Sequence, residues 1–402
     1  MTSPDWLSLI SPQSRLAPSS GIAEVMKHGF GRSGIIPLWV GEGDQVTPRL
    51  IADAAVASLA AGETFYMPQP GIPELRVALA RYSDRLFGGL FGAAFDPGRF
   101  FVTGSGMQAI QIAIRIVAAP GQEILVPTPA WPNFAAAVGV AGARAVPVAQ
   151  QFSPNGWRLD LADLEAAVTP ATRALFLNTP SNPSGWTASQ ADLAGFLQFA
   201  RRHGLWIIAD EVYGRFTDAG GTNPSLHALI EPDDRVIFVN SFSKNWAMTG
   251  WRAGWIEAPP ALARPIENLI QYSTSGVPVF VQRAAVAALD DGEDALAAML
   301  RRVRIGRDIV TTRLAQVKGV EFAPPGAFYL FFRIAGTTSS VETAARILRD
   351  TGVGLAPGSA FGDNGEGFFR LCFARDPGDL RRAADLVADW VAAGVGSRDL
   401  TA

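Results

Sequence analysis

The chain has 402 residues, 48% of them hydrophobic and 18% charged, with a formal net charge of −3. This length suits about two or three domains, and this apolar content excludes a disordered chain; without a basic run, nothing marks a nucleic-acid partner. Three histidines and one cysteine exclude a zinc site of the usual spacing and an internal disulfide, so no metal is expected and a reducing, cytoplasmic setting is.

The start, Met1-Thr2-Ser3-Pro4-Asp5-Trp6, lacks the basic-then-apolar pattern of a secretory leader. No apolar run reaches the ~18–20 residues of a membrane span, so no membrane partner is expected. Residues 1–45 are mixed, with Gly29, Gly31, Gly34, Gly41 and Gly43 interrupting any long helix. Helical spacing appears over 51–59 and 75–86. An alternation follows: strand 99–103, helix 107–118, strand 123–126, helix 134–140, strand 145–148, helix 161–168, strand 174–177, helix 189–203, and strands 205–209 and 235–239. Short all-apolar strands alternating with helices predict an α/β fold with a mostly parallel sheet covered on both faces. Such sheets bind ligands beyond the carboxyl ends of their strands. The tail differs, with helices at 284–289, 295–317, 341–351 and 380–395 and strands at 328–334 and 368–373, and reads as a smaller α+β domain.

The residues that carry chemistry fall just after the strands. Lys244 lies in Ser241-Phe242-Ser243-Lys244, with Arg252 eight residues on. Lysine forms Schiff bases with carbonyl compounds when desolvation or a nearby cation lowers its pKa; alone, it reads equally as a loop lysine. Gly104-Ser105-Gly106-Met107-Gln108 is a strand-to-helix turn whose free N–H groups suit a phosphate. It fits a dinucleotide fingerprint less well, because Glu123 precedes the next strand instead of ending it. Asp210 closes an apolar strand, where a carboxylate needs a partner such as a protonated pyridine nitrogen, a helix start or an arginine. Tyr213 follows three residues later. Asn182 stands in the turn Asn178-Thr179-Pro180-Ser181-Asn182-Pro183, and Trp131 follows Pro129 and could lie flat on a ring. Arg370, inside the apolar strand Phe368-Phe369-Arg370-Leu371, suits either a bound carboxylate or a buried ion pair.

In this order and spacing the motifs resemble the class I/II aminotransferases, fold-type I pyridoxal-phosphate enzymes of the aspartate aminotransferase type, from about Leu38 to Phe373. The resemblance implies that Lys244 is the Schiff-base lysine. It implies that Ser241, Ser243, Arg252 and the Ser105-Gly106-Met107-Gln108 turn hold the phosphate of pyridoxal 5′-phosphate. Asp210 then faces the pyridine nitrogen, Tyr213 and Asn182 the ring hydroxyl oxygen, and Trp131 the ring. Arg370, with Asn182 and the Gly41 backbone, holds the substrate α-carboxylate. Tyr66 reaches the neighbouring subunit's phosphate in a homodimer, with residues 273–276 at that boundary. The expected architecture is a large cofactor-binding domain over 46–283 and a small domain from 1–45 and 284–402.

Two departures stand out: Gly41-Glu42-Gly43-Asp44 lacks a usual proline, which loosens that loop, and Met107 replaces a small hydroxyl. The implied reaction moves an amino group from an amino acid to a 2-oxo acid, with 2-oxoglutarate as one expected partner. Lys244 carries a proton between Cα and C4′, for which its ordinary pKa of ~10.4 must fall. A C–S β-lyase on the same fold is the alternative. A nicotinamide dehydrogenase or a non-catalytic sensor is more remote. No second arginine is placed by motif for a distal carboxylate, so the donor stays open between acidic, aromatic and neutral amino acids.

Overall fold

The computed structural model describes residues 5–15, 17–218 and 220–394. Residues 1–4 of the opening hexapeptide, and residue 395 at the expected end of the closing helix, lie outside these. Seven strands form the main sheet: β1 (Phe100–Thr103), β2 (Glu123–Thr128), β3 (Arg144–Ala149), β4 (Thr172–Asn178), β5 (Trp206–Asp210), β6 (Val236–Ser241) and β7 (Gly254–Glu257). Across the sheet they run β1-β7-β6-β5-β4-β2-β3. β2 to β6 pair in parallel, and β7 alone is antiparallel to its neighbours β6 and β1.

The alternation of side chains explains why both faces are covered. Phe101, Ile124, Phe176, Ile208 and Ile237 pack on one face against Ile110 and Ile114 of helix Gly106–Val117. Leu125, Leu175, Ile207 and Phe238 pack on the other, in the cluster that includes Phe196 of helix Gln190–His203. Each such buried side chain contributes roughly 1.5–3 kcal/mol.

β7 is absent from the sequence-based expectation. Its four residues end in Glu257, which reads as a surface residue but is buried. Arg99 Nε donates to Glu257 Oε1 at 3.1 Å, and His227 Nε2 lies 2.9 Å from Oε2, so the carboxylate is paired. The reversal has a consequence for function. An antiparallel strand begins at the edge where the parallel strands end, so the residues just before β7 arrive beside the ends of β1 and β6.

A second, antiparallel sheet contains β8 (Val320–Phe322), β9 (Tyr329–Ile334), β10 (Ala356–Pro357) and β11 (Phe368–Cys372), in the order β8-β9-β11-β10. Helices Glu293–Leu314, Ser340–Thr351 and Pro377–Ala392 accompany it. The chain's N-terminal part joins this unit, because Ile36–Pro37 pairs in parallel with Val353–Gly354. The stretch 1–45, read as mixed and without a long helix, contains the seven-residue helix Gly21–Lys27. Ser20 Oγ caps it, accepting from Ala23 N at 3.4 Å, and Ile22, Val25 and Met26 fall at helical spacing. Among the described residues no helix is long and apolar enough to cross a membrane, and no group of three or more His, Cys, Asp or Glu could hold a metal ion.

Candidate active site

A cavity of about 580 Å³ opens at the carboxyl edge of the main sheet. Gly106, Asn178, Asp210 and Ser241 reach it from the ends of β1, β4, β5 and β6, and Arg252 reaches it from the start of β7. Gly41, Tyr329 and Arg370 close it from the side of the second sheet. A larger groove of about 890 Å³ is lined by Pro12, Gln13, Ala17 and Pro18 on one side and by helix Pro132–Val140 on another. It shares only Trp131 with the first and has no lysine or arginine in its lining.

Lys244 sits on the short helical turn Phe242–Asn245, whose start is fixed by Ser241 Oγ accepting from Ser243 N at 3.1 Å. Lys27, Lys244 and Lys318 are the chain's only lysines. Lys27 and Lys318 are exposed, and neither lines the cavity. Lys244 Nζ donates to the Gly41 carbonyl at 2.7 Å. Burial draws its pKa down to about 8, and the positive charges of Arg370 and Arg252 act in the same direction. Roughly a tenth is then neutral amine at pH 7, far more than for a lysine of ordinary pKa, as a nucleophile or base requires. Gly41 must be glycine, since a Cβ there would lie 2.3 Å from Tyr329 Oη. The loop that follows is pinned despite its missing proline: Thr249 Oγ1 donates to Glu42 Oε2 at 3.0 Å and Arg302 Nη2 to Asp44 Oδ2 at 2.8 Å.

Asp210 is 4% exposed. Among the described residues its carboxyl neither meets an arginine nor caps a helix, and that carboxyl's one hydrogen bond is from Val212 N at 3.3 Å. Burial pushes its pKa up to about 7, against the pull of that N–H and of Lys244. A carboxyl this poorly compensated fits a cationic partner. Nearby, Tyr213 and Tyr329 share a hydrogen bond between their hydroxyls at 2.8 Å. Burial first, and then Tyr329, hold Tyr213 well above the usual phenol range, so it is a neutral donor.

Arg370 is 2% exposed. Nη1 donates to Asn182 Oδ1 at 2.8 Å and Nη2 to the Trp39 carbonyl, while Nε has no partner. The guanidinium lies 4.7 Å from the Tyr329 ring and 4.9 Å from the Phe361 ring. Among the described residues no carboxylate pairs with it, which removes the ion-pair alternative. Asn182 is itself held by Asn178, whose Oδ1 accepts from Asn182 N at 2.8 Å.

The opposite end suits an anion. Gly106 and Met107, the first residues of their helix, carry N–H groups that the helix cannot satisfy. The Ser241 and Ser243 hydroxyls lie 2.9 Å apart beside them. Arg252 takes a left-handed backbone (φ 53°, ψ 59°) that costs about 1–3 kcal/mol for a non-glycine residue. That strain places a cation at this corner. Gly254 permits the close approach, since a Cβ there would lie 2.7 Å from both Gly106 N and Asn240 O.

Two expected residues, Ser105 and Gln108, do not line the cavity. Ser105 Oγ caps the helix by accepting from Gln108 N at 3.0 Å. The Gln108 amide turns away to Ser273 Oγ at 2.8 Å and Thr274 Oγ1 at 2.9 Å. Both side chains serve the turn's shape, so of the two expected alternatives, backbone N–H groups or Ser105, the turn presents the N–H groups to the cavity. Tyr66, expected at a neighbouring subunit's site and not at this one, is 91% exposed. Conversely, Tyr329, Thr249, Ile22 and Met26 line the cavity and were not expected. Ser20 with the Ile22, Val25 and Met26 spacing was the available signal for the last two. Glu123 pairs with Arg144 at the far end of β2, where no ribose in this cavity could meet it.

Comparison with known proteins agrees with this geometry. The family model for aminotransferase class I and II matches residues 34–387. The aromatic-amino-acid aminotransferase 2 of Thermococcus litoralis is 36% identical over 385 residues, covering 95% of this chain and 96% of that one. The aspartate aminotransferase of Pyrococcus abyssi is 34% identical over 389 residues, covering 96% and 97%. The crystal structure of the aromatic aminotransferase from Pyrococcus horikoshii superposes with a TM-score of 0.84 at 33% identity, covering 92% of this chain and 100% of that one. The chain belongs to the class I and II aminotransferases, enzymes that use pyridoxal 5′-phosphate to move an amino group between an amino acid and a 2-oxo acid.

Proposed function

We propose that Lys244 is the residue to which the cofactor is bonded and the base of the transamination. The observation that carries this is the position of the chain's one cavity lysine between a buried, poorly compensated Asp210 and an arginine without a carboxylate. The donor set fits pyridoxal phosphate. Gly106 and Met107 N–H, Ser241, Ser243 and Arg252 would hold its phosphate, Trp131 its ring face, Asp210 its ring nitrogen, and Tyr213 and Asn182 its phenolic oxygen. When bound, the cofactor supplies a cationic ring that takes up the electron pair left at Cα.

The chain's own residues do the rest. Arg370 binds the substrate α-carboxylate through N–H groups left over from Asn182 and Trp39, and so orients Cα. Lys244 Nζ, its pKa lowered by burial, takes the Cα proton when in its neutral form and holds it for return. Asp210, charged once its cationic partner arrives, keeps that partner protonated. Lys244→Ala should lower turnover by more than ~10³-fold with the fold intact. Turnover near the wild-type rate would overturn the assignment.

The same reading includes a homodimer in which Tyr66 reaches the neighbouring phosphate. Phe65, Tyr66 and Tyr272, exposed at 81%, 91% and 81%, support a covered surface there. It also divides the chain into a large unit, 46–283, and a small one, 1–45 with 284–402, supported by the pairing of Ile36–Pro37 with Val353–Gly354. A cytoplasmic setting goes with a lone, buried free thiol at Cys372.

A further inference from the structure

We propose that the substrate side-chain subsite accepts large uncharged amino acids, and that Ile22 and Met26 set this preference. The inference rests on the roles given above to Arg370 and Lys244. Among the described residues, four side chains of lysine, arginine, aspartate or glutamate line the cavity: Asp210, Lys244, Arg252 and Arg370. Each has a task on the cofactor or on the groups attached to Cα. None is left to meet a distal carboxylate, ammonium or guanidinium.

The geometry gives the side chain one direction. With the α-carboxylate on Arg370 and the Cα proton facing Lys244, the side chain leaves toward the remaining wall. Helix Gly21–Lys27 forms that wall. It packs on β10, whose Ala356 is the register partner of Arg370. Ile22 and Met26, both half-buried, line the cavity from this helix, while the exposed Glu24 and Lys27 do not. Trp131 adds an aromatic surface. The segments expected at a subunit boundary, Tyr66 and 273–276, contain no lysine, arginine, aspartate or glutamate, so those segments of a second copy bring no clamp either.

A wall of this kind discriminates by desolvation. A distal charge loses water and gains no partner, whereas each apolar group of the donor gains contact. The same physics ranks an uncharged 2-oxo acid above 2-oxoglutarate as acceptor.

The test mixes cofactor-loaded enzyme with one amino acid and no oxo acid, and follows the cofactor absorbance. The concentration dependence gives Kd and the limiting rate separately. Phenylalanine, leucine and methionine should exceed aspartate, glutamate and arginine by about 100-fold or more in limiting rate over Kd. In Ile22→Ala and Met26→Ala the phenylalanine-to-alanine ratio should fall about tenfold. A charged donor within tenfold of the best uncharged one would overturn the proposal, as would a ratio unmoved in both variants. If no amino acid of either class changes the spectrum, the reading of Lys244 and Arg370 fails and the proposal with it, an outcome distinct from a reversed preference.

Discussion

Replacing Arg370 by methionine separates a substrate clamp from a structural residue. The guanidinium has five N–H donors, and the structure engages Nη1 and Nη2 once each, leaving enough for a bidentate carboxylate. Two charge-assisted bonds at roughly 1.5–3 kcal/mol each amount to roughly 3–6 kcal/mol of lost stabilisation. At 1.36 kcal/mol per tenfold, that is about 10²–10⁴-fold in kcat/KM. Stability should move far less. The substitution leaves Asn182 Oδ1 and the Trp39 carbonyl without this donor, at about 1–3 kcal/mol each. Against that, it removes a buried cation without an anion, a relief of several kcal/mol. The assay compares an amino acid with the primary amine lacking its carboxylate, alongside thermal melting. The amino acid should lose its advantage over the amine while the melting temperature stays within a few degrees. A fall of less than tenfold for the amino acid, or an equal fall for the amine, would refute the reasoning.

Asp210→Asn should abolish most turnover yet stabilise the cofactor-free chain above pH 7. Below about pH 4 this carboxyl is protonated in both folded and unfolded states. Between about 4 and 7 the folded state keeps a proton that the unfolded state releases, so its contribution to stability declines as pH rises. The penalty removed is on the order of 4 kcal/mol at pH 8, readable as a raised melting temperature in the variant and none at pH 4. Amine-selective labelling of Lys244 in the cofactor-free protein should rise through about pH 8, whereas an inflection near 10 would contradict its lowered pKa. Gly254→Ala should destabilise the protein by about 1–3 kcal/mol and weaken cofactor binding, because its Cβ drives into Gly106 N and Asn240 O. Mixing inactive Lys244→Ala with inactive Tyr66→Ala subunits should restore activity if Tyr66 acts across a dimer; no recovery on verified subunit exchange would exclude that.

The site was legible in the sequence where a functional residue directly follows an apolar strand. Lys244, Asp210 and Asn182 meet in one cavity because strand ends in a parallel sheet share an edge, and the length and polarity of each segment fix those ends; Arg370 was legible for another reason, as a lone charge inside an apolar strand of the second sheet. What stayed hidden depends on pairing between distant segments. β7 is four residues long, and its Glu257 reads as solvent-exposed until Arg99 and His227 are found against it. Tyr329 looked like an ordinary strand residue, and only the fold brings its hydroxyl to Tyr213. Gln108 stood in a motif that suits a phosphate, but its amide turns toward Ser273 and Thr274, 165 and 166 residues away. Helix Gly21–Lys27 has only seven residues and begins on a glycine, so its local propensity is too weak to announce it.

The central claim is that Lys244 bears the cofactor, and a covalent map tests it most directly. Borohydride reduction of the loaded enzyme fixes any lysine–cofactor bond, and digestion with mass spectrometry locates it. Because Lys27 and Lys318 are the only other lysines, three candidate peptides cover every case. The account predicts the cofactor mass on the peptide containing Lys244, and its loss in Lys244→Ala. Stoichiometric label on Lys27 or Lys318, or label that survives Lys244→Ala, would contradict it.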